Sequence, residues 1–357
     1  MQGKGNHIAT APQDSVSSGT ILHSGYLPTV AVVVPTYNRA SFLIEVLESL
    51  IALDYPPNLL EIIVVDNSSI DDTEETVTKF QKKSPFPFHY FRKENRGPAV
   101  SRNYALERTQ AEIVAFTDSD CIMGPSWIRS AIPYLQDGTG FVAGPVRGII
   151  HPHHPVGFFS HQIFPEILKE NFLYPTANIF YRREVVEQIG GFREVFGAYP
   201  WGSPVGGEDT DLAWRVKQAG YKSAFAQDAG VLHMASPVPP RSWLLDGVRA
   251  QVVPRLAANY PAIRREFFWG HFLSSFHVAY LLAMVGGIGA LLTLNPVLLV
   301  LLVPYFREIP LELIAADVKS PKKWWRIPAK YVLLSVSMAV VIGALLYASI
   351  RYRSVVL

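Results

Sequence analysis

Asp118-Ser119-Asp120 ends the apolar run Ile113-Val114-Ala115-Phe116, and a second acidic knot, Gly207-Glu208-Asp209-Thr210-Asp211, follows about 90 residues later. A strand that ends in two carboxylates offers oxygen ligands to a hard divalent cation, and a cation held by one or two carboxylates usually also holds a phosphate. The second cluster can supply a base on the other side of a substrate. Together they predict metal-assisted group transfer from a diphosphate donor. Cys121 directly follows Asp120 and is the single cysteine, so no intrachain disulfide forms. No recognisable Cys/His motif accompanies it, and it reads as a buried residue rather than a nucleophile. His151, His153 and His154 cluster with prolines, a pattern that can bind metal. Here it reads rather as a loop over the cleft.

These groups need a scaffold, and the chain supplies one by alternation. Val30–Val34 is a continuous apolar run, as in a strand buried on both faces. Phe42, Leu43, Val46, Leu47, Leu50 and Ile51 follow at helical spacing across Ser41–Leu53, with a serine available as N-cap. Ile62–Val65, Phe88–Phe91 and Ile113–Thr117 read as further strands. A helix introduced by Ser69 and Asp71 and another from Pro98 to about Thr109 separate them. This rhythm predicts βαβ units and a mainly parallel sheet. Ligands of such sheets bind at the carboxyl ends of the strands. That rule gathers Pro35-Thr36-Tyr37, Asp66-Asn67, Asn95-Arg96-Gly97 and Asp118-Ser119-Asp120 around one crevice. Beyond Cys121, strands are expected at Phe141–Val146, Ala177–Tyr181, Ala224–Ala226 and Val231–His233. Helices are expected at Glu184–Ile189 and Thr210–Ala219, the second closed by Gly220.

The chain of 357 residues is 49% hydrophobic, with a mean hydropathy of +0.17 and a net charge of +2. That balance and the lack of a basic stripe with interleaved aromatics argue against a nucleic-acid partner. The apolar excess is concentrated: Phe267–Phe306 and Tyr331–Ile350 contain no Asp, Glu, Lys or Arg. A span needs about 20 such residues. The first run is therefore long enough to cross twice, breaking at Gly286-Gly287-Ile288-Gly289 or at Asn295-Pro296, and the second once. Three spans are preferred and two remain open. Arg264-Arg265 and Lys319, Lys322, Lys323 and Arg326 flank the runs. They predict a cytoplasmic catalytic domain on a multi-pass cell-membrane protein. The expected organisation is a disordered tail over 1–29 and a catalytic domain over 30–240. An amphipathic juxtamembrane helix over 241–266 and a membrane region over 267–351 complete it.

Five motifs in order resemble the family 2 glycosyltransferases of the GT-A fold. They are VVVPTYNR at Val32–Arg39, VVDNSS at Val64–Ser69, NRGPAVSRNYAL at Asn95–Leu106, FTDSD at Phe116–Asp120 and GGEDTDLAWR at Gly206–Arg215. The resemblance implies an α/β GT-A catalytic domain followed by transmembrane helices, and roles for particular residues. Asp66 matches the residue that receives the nucleotide base, with an Asx-turn the alternative. Pro35, Thr36, Tyr37, Arg39 and Asn95 would line the nucleotide-sugar, Gly97 would let the backbone pass close to it, and Arg102 would approach the base or diphosphate. Asp120 would bind Mn2+ or Mg2+ directly. Asp118 would hold the ribose or the metal through water, and His233 matches a further metal ligand in some relatives. Asp209, with Glu208 as the alternative, would take the proton from the acceptor hydroxyl, and Glu208 and Asp211 would otherwise orient it or cap the following helix. Asn178 would face sugar or backbone, and Trp201 would stack on a sugar or fill the core.

The resemblance further implies an inverting single displacement from a nucleotide-sugar. UDP-sugars lead, with GDP- and dTDP-sugars as alternatives, and the acceptor would be lipid-linked or a polysaccharide. Processive synthesis calls for Gln-x-x-Arg-Trp, and Gln251-Val252-Val253-Pro254-Arg255 has the wrong spacing and no tryptophan. Transfer of one sugar is therefore expected. A nucleotidyltransferase would need a glycine- and basic-rich phosphate loop, which Pro35–Ser41 is not. A catalytically inactive membrane protein conflicts with the intact carboxylates.

Overall fold

The structure, a computed structural model, describes residues 26–136, 138–150, 166–194, 206–235, 246–308 and 326–357. Most of the N-terminal tail, the histidines at 151–154, Trp201 and the basic segment over 319–325 lie outside the described residues.

Ten strands and ten α-helices are described. In chain order they begin β1 (Val30–Thr36), α1 (Ala40–Ile51), β2 (Leu60–Asp66), α2 (Thr73–Gln81), β3 (Phe88–Arg92), α3 (Pro98–Leu106) and β4 (Ile113–Phe116). There follow β5 (Cys121–Met123), α4 (Trp127–Ala131), β6 (Thr139–Ala143), β7 (Val146–Ile150), β8 (Ile179–Arg182), α5 (Arg183–Ile189), α6 (Glu208–Gln218), β9 (Lys222–Phe225) and β10 (Val231–Ala235). The last helices are α7 (Val252–Asn259), α8 (Ser275–Thr293), α9 (Val303–Glu308) and α10 (Arg326–Tyr352).

A seven-stranded sheet runs β3-β2-β1-β4-β8-β6-β9. Strands β3, β2, β1 and β4 are mutually parallel, as the alternation of the first half predicts, whereas β8 is antiparallel to both its neighbours. All seven residues of β1 are buried, because helices cover both faces. One layer packs α1 through Leu43, Val46, Leu47 and Leu50 against alternate residues of β1 and β2, and the opposite layer packs α3 and α6.

Two local departures matter for the site. The expected strand Phe141–Val146 is two strands: Gly144-Pro145 breaks it, sending β6 into the large sheet and β7 into a small one of order β5-β10-β7. Proline cannot extend a ladder. A Cβ at residue 144 would stand 2.3 Å from the Ala229 carbonyl oxygen and 2.6 Å from Asn178 Nδ2, so only glycine passes there. In the small sheet His233 pairs with Cys121 and Met234 N–H donates to the Asp120 carbonyl at 2.8 Å. That ladder carries His233 across to the acidic pair. Helix α1 has no serine cap; its first amide, at Ala40, donates to Asp71 Oδ2 at 3.0 Å from the neighbouring loop.

The single juxtamembrane helix expected over 241–266 is broken, within its described part, into a 3-10 turn at Gly247–Gln251, then α7, then a 3-10 turn at Pro261–Glu266. Pro261 opens that last turn. Helix α8 then runs to Thr293, and the chain reverses at Leu294-Asn295, the break expected at Asn295-Pro296. The glycines of the other expected break stay helical and admit the return limb: a Cβ on Gly286 would meet the Leu298 carbonyl oxygen at 2.6 Å. That limb is a 3-10 helix, Pro296–Leu302, continued by α9, and Ser275 Oγ donates to Glu308 Oε2 at 3.0 Å where the hairpin closes. Among the described residues, two helices, Ser275–Thr293 and Tyr331–Tyr352, are long and apolar enough to cross a membrane. Within the described residues the return limb, over 296–308, is 3-10 in its first half and is not one regular helix of spanning length.

Candidate active site

The carboxyl ends of β1, β2 and β4, the entrance of α3, the start of α6 and strand β10 converge on one cleft. Its centre is an ion-pair chain. Asp120 Oδ2 lies 3.2 Å from Arg39 Nη1, and its Oδ1 lies 3.4 Å from His233 Nε2. Arg102 bridges the next two acids, with Nη2 at 3.1 Å from Asp118 Oδ1 and Nη1 at 3.2 Å from Glu208 Oε1. Its guanidinium is buried and stands over the Phe192 ring. Helix α3 therefore joins the first acidic cluster to the second, a link that no sequence spacing reveals.

Asp118, Asp120, Cys121 and His233 each bring one ligand atom within 4.8 Å of the others. Two carboxylates and an imidazole suit a hard or borderline divalent cation such as Mn2+ or Mg2+. Cys121 is fully buried and burial pushes its thiol well above the ordinary range, so it stays protonated and contributes bulk rather than a ligand. Burial also raises the Asp120 carboxyl, against the pull of His233 and Arg39 and with the help of Asp118. A cation between the two carboxylates would relieve both effects, so the residues fit the ion.

Asp209 sits in the first turn of α6, entered through Gly206 and Gly207, whose φ values of +96° and +92° need glycine. Its Oδ1 accepts the Thr210 N–H at 2.8 Å. Loss of water around the carboxyl, and then the charge of adjacent Glu208, push its pKa up to about 6. A carboxylate tuned there can accept a proton near neutral pH.

The nucleotide side differs in detail from expectation. Asp66 is completely buried and saturated: Oδ1 accepts the Ser69 N–H and O–H, at 2.9 and 2.6 Å, and Oδ2 accepts Tyr90 O–H at 2.7 Å. Here it holds the loop in an Asx-type turn. Its neighbour Asn67 receives Ser101 O–H at 2.6 Å, which ties β2 to α3. Asn95 accepts the Gly97 N–H at 3.2 Å, shaping the turn that carries Gly97 at φ +92° into Pro98. Tyr37 is exposed, whereas Thr36 is buried with its hydroxyl making no hydrogen bond among the described residues. Pro35 pairs in register with Val65 inside the sheet.

Two further expected site residues, Asn178 and Asp211, make hydrogen bonds to the framework. Asn178 is buried with Nδ2 donating to the Pro145 and Ala229 carbonyls, at 2.9 and 2.7 Å, and Oδ1 accepting Trp127 Nε1–H at 2.9 Å. It bolts the two sheets together, with both of its amide hydrogens spent on backbone carbonyls. Asp211 is equally buried. Its Oδ1 takes Arg193 at 2.8 Å and Tyr260 O–H at 2.6 Å, and its Oδ2 takes Arg215 at 2.8 Å. It anchors α6 to the segment after α7. Tyr90 and Phe192, which shape the site from behind, carry no sequence signal beyond a strand aromatic and a residue after Gly190-Gly191.

Residues 31–190 match the family described as Glycosyl transferase family 2. The glycosyltransferase AglE of Haloferax volcanii is 30% identical over 220 residues, covering 59% of this chain and 68% of that protein. The pre-mycofactocin glycosyltransferase of Mycobacterium tuberculosis is 28% identical over 215 residues, 57% of this chain and 42% of that protein. Among solved structures, the mannosyltransferase PcManGT from Pyrobaculum calidifontis, in complex with GDP-Man and Mn2+, superposes with a TM-score of 0.55. The match covers 90% of this chain and 86% of that one at 21% identity, a likeness of fold. With a parallel-sheet cleft, paired carboxylates after β4 and this kinship, the chain belongs to the family 2 glycosyltransferases and is a transferase of the GT-A fold.

Proposed function

We propose that the protein is a membrane-anchored, inverting glycosyltransferase that moves one sugar from a nucleotide-sugar to a lipid-linked or polysaccharide acceptor. The observation that carries this reading is the Asp118–Arg102–Glu208 bridge, by which one guanidinium brings the two acidic clusters together. Asp120, Asp118 and His233 would hold Mn2+ or Mg2+, which when bound neutralises charge on the leaving diphosphate. Pro35, Thr36, Tyr37, Arg39, Gly97 and Arg102 form the donor wall, with the diphosphate drawing on the two guanidiniums. Asp66 and Asn95 act by holding that wall in shape. Asp209 accepts the acceptor proton as the hydroxyl oxygen bonds to the anomeric carbon and the carbon–diphosphate bond breaks. Glu208, paired with Arg102, keeps α6 in place beside it.

Related proteins lend support: PcManGT was solved with GDP-Man and Mn2+, and GalNAc-T7, a TM-score 0.50 neighbour at 16% identity, with UDP, GalNAc and Mn2+. A UDP-sugar is the leading donor, with GDP- and dTDP-sugars as alternatives. The two apolar helices support an anchor, with the catalytic domain on the cytoplasmic face. The test is release of nucleoside diphosphate from a panel of nucleotide-sugars with Mn2+ or Mg2+ and membrane lipid extract. Metal-dependent turnover with one donor is expected, lost in Asp120→Ala and cut about 10²–10⁴-fold in Asp209→Asn. Full activity in both variants would overturn the assignment.

A further inference from the structure

We propose that helix α10 does not cross the bilayer but lies along its surface on the catalytic side, so that the C-terminus stays on that side and the α8–α9 hairpin alone enters the membrane. This rests on the membrane-anchor reading above.

Both ends of α10 lie at the mouth of the hairpin. Near its start, Tyr331 packs on Phe306 with ring centroids 5.6 Å apart, two residues before Glu308 closes the hairpin on Ser275. Past its far end, the tail folds back. Ser349 Oγ donates to the Val356 carbonyl and accepts its N–H, both at 2.9 Å. Leu357 N–H donates to the His271 carbonyl at 2.8 Å and Leu273 N–H to the Leu357 carbonyl at 2.7 Å. Arg264 donates to the Val355 carbonyl at 2.8 Å and to Ser354 Oγ at 2.7 Å. Residues 271–273 lead directly into α8. A helix of 27 residues is about 40 Å long. If it crossed a hydrocarbon core of about 30 Å, its two ends could not both meet the same mouth.

The middle of α10 is held between the hairpin and the catalytic side. Tyr280 O–H donates to the Ser335 carbonyl at 2.9 Å from the hairpin. On the opposite flank a Cβ at Gly247 would lie 3.1 Å from Val341, and Leu345 shares a core with Val253, Leu256 and Ile263. That core is fastened to the catalytic domain by Tyr260 on Asp211. The free face then identifies the partner. Val332, Val336, Ala339, Gly343, Leu346 and Ile350 are exposed at spacings of three and four, one apolar stripe along the helix, while Met338, Ile342 and Leu345 are buried. The stripe is continuous with the exposed apolar hairpin, and the opposite side of the helix is already taken up by the catalytic-side core, so the stripe is the face left for lipid.

The test uses the full chain in sealed membrane vesicles, with Val355→Cys, Ile70→Cys as a catalytic-domain reference, and the unsubstituted protein as blank because Cys121 is buried. An impermeant maleimide should label both variants from the same side, with equal gain or no gain on permeabilisation. Protein that stays in the membrane after alkaline washing but labels at the two sites from opposite sides overturns the lateral helix and leaves the anchor intact. Protein that washes off overturns the anchor and the lateral helix together. Tryptophans at Val332, Ala339 and Ile350 give a readout independent of the tail. Equal quenching by shallow and deep lipid nitroxides across the three supports the proposal, and a maximum depth at Ala339 overturns it.

Discussion

At the scale of single residues, the cleft works by placing charges of known sign where a reaction needs them. Asp209 illustrates this: burial and Glu208 hold its pKa at about 6 against an ordinary 3.8, so the group is protonated below that value and a base only above it. The sign follows directly. kcat/KM should rise about tenfold per pH unit below about 6 and level off above it, and a pH profile of donor turnover at saturating metal checks this. Because Asp209 and Glu208 interact, the inflection belongs to the pair. Glu208→Gln removes a neighbouring negative charge and should move the inflection to lower pH. The clustering of Asp118, Asp120 and Asp209 at element ends was legible in the sequence because each follows a recognisable strand end or opens a helix. The partners of Asp66, Asn178 and Asp211 were not, since polarity and position do not name the groups that a side chain will meet.

At the scale of elements, the framework side chains decide how rigidly the site is held. Asp211 joins α6, through Arg215, to Arg193 and to Tyr260 beyond α7. Removing one partner of a buried ionic cluster typically costs about 3–5 kcal/mol, because the remaining charge is left without compensation. Asp211→Ala should therefore lower the thermal midpoint of the detergent-solubilised protein far more than Asp209→Ala, whose carboxylate faces the cleft. Differential scanning fluorimetry compares the two directly. Equal destabilisation would contradict the division of roles between these two acids. The elements of the first half were readable with boundaries close to those observed, because each strand there is a plain buried run. The second half was less so: the turn at Gly144-Pro145 hands the chain from one sheet to another, and sheet membership depends on partners distant in sequence.

At the scale of the whole molecule, the hairpin leads away from residues 271–275 and carries highly exposed aliphatic residues, with Leu292 at 77% and Leu294 at 85% exposure. Carrying aspartate into the hydrocarbon core is unfavourable, by up to about 2.5–3.5 kcal/mol per residue at its centre. The Leu292→Asp, Leu294→Asp double variant should thus shift the protein from the membrane pellet to the soluble fraction. Leu294 has φ +54°, which aspartate accepts more readily than most residues, so the turn itself survives. Donor hydrolysis by the released protein should persist, since the cleft lies in a separate core. Retention of the variant in alkaline-washed membranes would count against the hairpin as anchor.

Local chemistry was settled by the sequence alone: two acidic clusters at element ends, a parallel α/β rhythm, one cysteine without a partner, and two long uncharged runs. Each is a property of neighbours along the chain, written in side-chain type and period. Tertiary structure decided which carboxylates share a guanidinium, which asparagine is consumed by the sheets, how His233 reaches Asp120 through a strand pairing, and where the last helix lies. Those outcomes turn on contacts between residues tens to hundreds of positions apart. A uniformly apolar run names no partner of its own; the hydrogen bonds of Ser349, Arg264 and Leu357 tie its far end to the segment before α8.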